Sequence, residues 1–295
     1  MPPQANYDAL LGLVEAAGRL CVLTGAGCST SAGIPDYRDE QGRWKRAAPI
    51  LYHDFVANAR VRRSYWARSL LGWPFFAAAQ PTDAHRALAA LEARGRVRQI
   101  ITQNVDGLHQ RAGSTAVIDL HGRLDAVRCL DCGASASRSS LQQQLLACNP
   151  AWRGKSAAPG PDGDALLENT ELELLALVPC GRCGGILKPD VVFFGESVPS
   201  ERVARCREAI RSCDALLVVG TSLSALSGFR FVREAHRLDV PVAAINLGRT
   251  RADDLFTLKV RAAADTALSA LALASRDLGP ATRSSPSLGG DYRFS

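Results

Sequence analysis

Short apolar runs alternate along this chain with stretches whose apolar residues recur at helical spacing. Asp8–Ala17 has the helical rhythm, and RLCVLTG (Arg19–Gly25) after it is a tight apolar run with β-branched content. That run ends in Gly25-Ala26-Gly27, which predicts a buried strand leading into a glycine turn. VRQIITQ (Val97–Gln103) and AVIDLHG (Ala116–Gly122) predict two more short strands. ALLVVGTS (Ala215–Ser222) and VAAIN (Val242–Asn246) predict the buried strands of the second half. Amphipathic segments, among them Ala84–Arg94 and Gly228–Leu238, separate the strands. Such alternation predicts an α/β fold with a parallel sheet covered on both faces.

The rhythm breaks between Arg128 and Gly185. This stretch opens and closes with a C-x-x-C pair and carries NPAWRGKSAAPGPDGDA, a sequence of loop composition, between them. The α/β pattern then resumes, so a small module inserted into a larger fold is expected. The last ~20 residues, rich in Ser, Gly and Pro, predict a disordered tail.

Composition narrows the function classes. With 295 residues, 47% hydrophobic and 22% charged, the chain can bury a sizeable core. A net charge of +6 would suit an acidic partner, but the basic residues form no long run. A solvated basic surface is therefore preferred over nucleic-acid binding. The start, MPPQANYDALLGLVEAAG, has neither a basic opening nor a long apolar run, and no segment approaches the ~20 apolar residues of a membrane span. A cytoplasmic enzyme without membrane attachment is expected.

Four of the nine cysteines form Cys129-x-x-Cys132 and Cys180-x-x-Cys183. Two such knuckles suit a tetrahedral zinc ion, and four sulfurs with no open position make the ion structural. A redox pair is the alternative reading. In GAGCSTSAGIPDYR (Gly25–Arg38), Gly25 and Gly27 let backbone N–H groups approach a pyrophosphate, with a helix N-terminus expected to follow. Thr30 stands where a dinucleotide fingerprint has its third glycine, so a plain structural turn stays open. Beyond it, Gly33-Ile34-Pro35-Asp36-Tyr37-Arg38 adds a stiff turn and three polar or aromatic side chains. Gln103, Asn104 and Asp106 follow a strand end, where α/β folds place ligands, and offer hydrogen bonds to a ribose and an amide. His121 ends another strand, where a structural histidine and a general base are both possible readings.

GAGCSTSAGIPDYR, TQNVDGLH, the LHG holding His121, the two C-x-x-C pairs, LKPDVVFFGE (Leu187–Glu196), GTSL (Gly220–Leu223) and Ile245-Asn246 stand in the order found in sirtuins. Together they span roughly residues 20 to 265. The chain thus resembles the sirtuin family. SYWARSLLGWPFF, RCLDCG, NPAW, PDGD and LKPDVVFFGE further resemble its class II branch, which includes a mitochondrial deacylase, lipoamidase and ADP-ribosyltransferase.

The resemblance implies a Rossmann-like large domain from residues 1–40, 80–125 and 188–275. It implies a small domain from a helical insertion, 41–79, and a zinc module, 126–187, with 276–295 as tail. NAD, the co-substrate, would lie between them. Gly25, Ala26, Gly27 and Ser29 would serve its pyrophosphate, and Pro35, Asp36, Tyr37 and Arg38 the reacting side, with Tyr37 where most relatives have Phe. Gln103, Asn104, Val105 and Asp106 would hold the nicotinamide ribose and carboxamide. Gly220, Thr221, Ser222, Asn246, Leu247, Gly248 and Ala264 would take the phosphates and adenosine. The acyl-lysine carbonyl oxygen then attacks the ribose carbon bearing nicotinamide, which leaves. His121, with Asn104 and Asp106 beside it, removes a proton from a ribose hydroxyl, a task suited to an imidazole titrating near neutrality. The products are free lysine, nicotinamide and acyl-ADP-ribose.

The protein substrate is implied to add as an extended strand between Val192–Glu196 and Ser224–Gly228. Val192 and Phe194 would line its lysine tunnel, with Gly195 and Glu196 next to them. Tyr65 and Arg68 have the Y-x-x-R spacing that desuccinylating sirtuins use for an acyl carboxylate, and one helical turn puts them on one face. Carboxylated acyls are accordingly expected beside acetyl. ADP-ribosylation or lipoamide cleavage as main activity, a Rossmann oxidoreductase, and a zinc-containing nucleic-acid-binding protein are the alternatives.

Overall fold

Alternate residues of a strand face opposite ways, and in this molecule both faces are apolar. The computed structural model describes residues 4–36, 49–158, 160, 163–165, 172 and 174–275. In chain order its helices are α1 (Gln4–Ala16), α2 (Tyr52–Ala57), α3 (Ala59–Ala78), α4 (Asp83–Ala93), α5 (Leu108–Arg111), α6 (Arg138–Cys148), α7 (Ser200–Arg211), α8 (Leu226–Arg237) and α9 (Ala264–Ala274). Its strands are β1 (Leu20–Thr24), β2 (Val97–Thr102), β3 (Val117–Asp119), β4 (Gly122–Cys129), β5 (Ser135–Ser137), β6 (Leu187–Val191), β7 (Ala215–Val219), β8 (Val242–Ile245) and β9 (Leu258–Val260).

Six strands form one parallel sheet in the order β3-β2-β1-β7-β8-β9. Leu20 and Val22 of β1 enter the core under α1, α4 and α9. Cys21 and Leu23, one residue out of phase, enter the core under α7 and α8. β7 repeats this with Leu217 and Val219 on the first face and Leu216 and Val218 on the second. Burial on two faces explains the unbroken apolar runs of both strands.

The remaining strands form a small antiparallel sheet, β5-β4-β6. With α3 and α6 it closes a separate core around Phe55, Trp66, Leu70, Val127, Leu141 and Leu145. Strands β4 and β6 cross the boundaries drawn at 125 and 188: the small sheet also takes in Gly122–Asp125 and Lys188–Val191. Asn58 caps α3 by accepting from the Arg60 amide at 2.9 Å. Before the loop-like NPAW stretch lies α6, which the apolar pattern did not reveal and whose start is capped by Ser137. Positions 37–48 and 276–295, which include much of the helical insertion's start and the expected tail, lie outside the described residues.

Candidate active site

The strand order reverses between β1 and β7, and a cleft of about 1490 Å³ opens at the C-terminal ends of those strands. The turns leaving the two strands press together backbone to backbone. Gly25 N–H donates to the Val219 carbonyl at 3.0 Å and Gly27 N–H to the Gly220 carbonyl at 2.8 Å. A Cβ on Gly27 would lie 2.8 Å from Gly220 Cα, and Gly220 itself has φ of 62°. The glycines therefore serve chain packing first. Their amides, expected to face a phosphate, are engaged by carbonyls, and Gly25, Ala26 and Gly27 all line the cleft. In place of the expected helix, the described residues after the turn form two short 3₁₀ turns, Ala26–Cys28 and Thr30–Ala32.

Gln103 and Asn104 meet this turn from the end of β2. Gln103 Nε2 donates to Thr221 Oγ1 at 2.9 Å and to the Thr24 carbonyl at 3.3 Å. Asn104 Nδ2 donates to the Gly25 carbonyl at 3.1 Å and to Ser29 Oγ at 3.0 Å. Ser29 Oγ donates in turn to Asp106, 2.7 Å away, whose other oxygen accepts from the Leu108 amide. Gln103, Asn104 and Val105 line the cleft; Ser29, Pro35 and Asp106 do not. Asp106 and Ser29 thus tie the turn together from behind.

His121 lines the cleft, two residues past β3. Its Nδ1 lies 2.9 Å from the Gln103 carbonyl, which can only accept, so Nδ1 carries the proton. Nε2 is then the bare, basic nitrogen, and it lies 2.8 Å from Ser227 Oγ. Burial pushes the imidazole down to about 4; the Gln103 carbonyl opposes this, and Arg202 and Arg230 add to it. That lies below the near-neutral value expected from sequence. The ring is neutral at pH 7 and ready to accept a proton, but its charged form is disfavoured.

Gly220, Thr221, Ser222, Asn246, Leu247, Gly248 and Ala264 line the end of the cleft beside β7 and β8, with Asp36 also on its wall. The Asn246 side chain donates to the Gly248 carbonyl at 3.0 Å, shaping that loop. Past His121 lie Val192, Phe194, Gly195 and Glu196, together with Tyr65 and Arg68. Val192 N–H donates to the His121 carbonyl at 2.7 Å, joining this wall to the base. Phe193 packs inward on Phe55 and Tyr65, so Phe194 stays exposed and is not a core residue. The Lys188–Glu196 pair, 3.0 Å apart, braces the same segment, and Glu196 accepts from the Phe193 amide at 2.8 Å. Tyr65 is buried edge-on against Phe55, which drives its phenol pKa up, while Arg68 Nε finds no hydrogen-bond partner among the described residues. Tyr37 and Arg38 lie outside the described residues.

The four knuckle cysteines converge at the far edge of the small sheet. Their sulfurs all lie within 4.8 Å of one another, with Cys129 Sγ 3.5 Å from Cys183 Sγ and Cys132 Sγ 3.8 Å from Cys180 Sγ. Four sulfurs at tetrahedral positions about 2.3 Å from zinc stand about 3.8 Å apart, so this set fits the ion. The amides of Arg182 and Cys183 point at Cys180 and draw its thiol down to about 7, toward the thiolate that a metal binds.

The Sir2 family model matches residues 25–227. A protein of Xanthomonas axonopodis pv. citri (strain 306), named NAD-dependent protein deacetylase, is 54% identical over 269 residues, covering 91% of this chain and 92% of that one. The chain is a sirtuin. A Streptomyces coelicolor relative, NAD-dependent protein deacetylase 1, is 47% identical over 92% of the chain and 91% of its own length. Among solved structures, a Sir2 homolog–NAD complex superimposes with a TM-score of 0.71 at 27% identity, over 91% of this chain and 93% of that one. A Sir2 mutant bound to p53 peptide and NAD gives 0.72 at 25%, over 91% and 98%.

In this sirtuin several cleft residues escaped the reading of the sequence. Ser227, Leu226 and Arg230 come from the first turns of α8, and Asp164 from the PDGD stretch. The segment Ser224–Gly228 was assigned to substrate, yet nothing in it singles out Ser227 as a partner of the base. No helix among the described residues is long and apolar enough to cross a membrane.

His109, in the TQNVDGLH motif, is a buried structural residue. It packs on His85 with ring centroids 4.6 Å apart, and Thr24 and Thr82 hold one nitrogen of each ring. Burial lowers the pKa of both, as it does for His121. Below about pH 6.5 the unfolded chain gains protons that these rings refuse while folded. Stability is therefore present above that pH and lost on acidification below it, by up to about 1.4 kcal/mol per pH unit for each histidine. Denaturant midpoints should fall steeply between pH 7 and 5; a flat profile would contradict this.

Proposed function

We propose that this sirtuin is an NAD-dependent protein-lysine deacetylase that releases nicotinamide and O-acyl-ADP-ribose. The observation that carries the reading is the neutral imidazole of His121, its basic Nε2 turned into the cleft between the β7–β8 end and the Phe194 wall. The activity named for the relatives supports it, as do the NAD and peptide complexes of the structural neighbours.

In this reading NAD runs along the β7–β8 end. Ala26 with Gly25 and Gly27, and Gly220 through Ser222, embrace the phosphates, and Asn246, Leu247, Gly248 and Ala264 hold the adenosine. Gln103, Asn104 and Val105 meet the nicotinamide ribose and carboxamide, with Asp106 and Ser29 fixing Asn104 from behind. Asp36 completes the reacting side. The acyl-lysine enters beside Val192 and Phe194, and its carbonyl oxygen displaces nicotinamide. His121 then takes a proton from the ribose hydroxyl, whose oxygen attacks the former acyl carbon; loss of the lysine amine and addition of one water give O-acyl-ADP-ribose and free lysine. The peptide lies extended between Val192–Glu196 and Ser224–Gly228. The Phe194 carbonyl already accepts from the Tyr52 amide at 2.9 Å, so the peptide pairs with the other backbone groups. Four cysteines set for a metal and five further unpaired thiols support a reducing, cytoplasmic setting.

Tyr65 and Arg68 favour a second, narrower reading: carboxylated acyl groups are accepted beside acetyl, as in the class II branch that the sequence resembles. Both line the cleft, and Arg68 Nε is buried there without a hydrogen-bond acceptor among the described residues. A charge-assisted bond to an acyl carboxylate would satisfy it.

One experiment tests both levels. Acetyl-, succinyl-, glutaryl- and hydroxymethylglutaryl-lysine peptides are incubated with NAD and followed by mass spectrometry for free lysine and acyl-ADP-ribose. Stoichiometric acyl-ADP-ribose is expected; ADP-ribose transferred to protein with no deacylation would overturn the main reading. Arg68→Met should cut kcat/KM on carboxylated peptides roughly 10-fold or more and spare acetyl. Equal effects on charged and uncharged acyls would end the narrower one.

A further inference from the structure

The hydroxyl of Ser227 sits 2.8 Å from the one nitrogen of His121 that can act as a base. The two residues come from chain segments 106 positions apart, β3's end and the first turn of α8. A Cβ at the neighbouring Gly228 would stand 2.5 Å from Gln103 Oε1, so a larger residue there would push the Gln103 side chain aside. Gln103 is itself anchored to Thr221 and Thr24, and its carbonyl holds the opposite side of the same imidazole. The ring is thus clasped between a carbonyl that can only accept and a hydroxyl that can donate or accept.

We propose that Ser227 is a positioning residue for the general base, and that its hydroxyl reverses roles during the reaction. With Nε2 bare, the hydroxyl donates to it and fixes the ring plane. The ribose hydroxyl displaces this donation from the single lone pair of Nε2, and as its O–H bond breaks an N–H bond forms. The Ser227 hydroxyl then turns and accepts from the new N–H. The charged groups that act on this ring among the described residues are Arg202 of α7 and Arg230 of α8, and both disfavour an imidazolium. A neutral acceptor beside Nε2 is what the site offers to offset them. Hydrogen bonds to an ionised group are about twice as strong as neutral ones, so the clasp tightens when the base becomes charged.

This rests on the deacetylase reading, in which His121 acts after nicotinamide has left. That order provides a readout that a merely structural role would not move. In Ser227→Ala, deacetylation kcat should fall roughly 10-fold, with KM for NAD and peptide little changed. Exchange of labelled nicotinamide, which needs only the earlier step, should stay within about two-fold of wild type. The ratio of exchange to deacetylation therefore rises, and Ser227→Thr, which keeps the hydroxyl, restores it. Equal losses in both reactions, or no loss in either, would overturn the proposal. A second arm needs no substrate: the Nε2 nitrogen resonance of His121, assigned by its loss in His121→Ala, should move in Ser227→Ala and return in Ser227→Thr. An unmoved resonance would show that no clasp exists, whereas absent turnover by the wild type with a moved resonance would indict the functional reading alone.

Discussion

His121→Ala is expected to lower deacetylation by a factor on the order of 10²–10⁴, the usual contribution of a positioned general base. The loss should lie in kcat, because in the proposed reaction the ring acts on the sugar after substrate has bound. Removing the ring leaves the Gln103 carbonyl and the Ser227 hydroxyl without their partner, but both border the cleft, where water can replace it. The variant should therefore fold, keep its zinc and bind NAD, as circular dichroism, metal analysis and calorimetric titration would report. Deacetylation within a few-fold of wild type, in a variant with intact NAD binding, would remove His121 from the mechanism.

Zinc removal should have an effect of similar size by a different route. A structural four-thiolate site contributes about 10–16 kcal/mol of apparent binding free energy that is also folding free energy. Here the ion would join the end of β4, at Cys129, to the turn holding Cys180 and Cys183, just before β6. The knuckle backbones are already cross-linked: Cys129 N–H donates to the Ala134 carbonyl, Cys180 N–H to that of Gly185, and Leu130 N–H to that of Ile186. β6 then runs directly into Val192–Glu196, the wall beside His121. Chelation, or Cys180→Ser, should loosen the small sheet, expose residues 130–186 to proteases and abolish turnover. The six-stranded sheet has its own two cores and should survive. Restored zinc should restore activity in the wild type only. Full activity at zero bound zinc would show that the four cysteines hold no structural ion.

How much of this was legible beforehand depended on the range of the signal. The strands of the large sheet were visible because each is buried on both faces and reads as an unbroken apolar run, as in Leu20–Thr24 and Ala215–Val219. The metal site was visible because each pair of ligands is local in sequence. The helix α6 was not, because its sequence, RSSLQQQLLAC, buries only a narrow stripe against the small sheet. The glycine turn was read correctly as a turn and incompletely as a phosphate cradle. Its two glycines are needed because the chain leaving β7, nearly 200 positions later, passes within van der Waals distance. That neighbour exists only once the parallel sheet has placed β7 beside β1.

The sequence by itself determined the alternation of strand and helix, the two cysteine knuckles and the membership of the family, since periodicity, spacing and motif order are all properties of a line of residues. Tertiary structure decided which nitrogen of His121 is basic, that Ser227 faces it, and that Asp106 and Ser29 stand behind the wall of the cleft. Those facts depend on groups brought together by crossovers between distant strands, and a hydrogen bond about 2.8 Å long leaves no trace in the order of residues that form it.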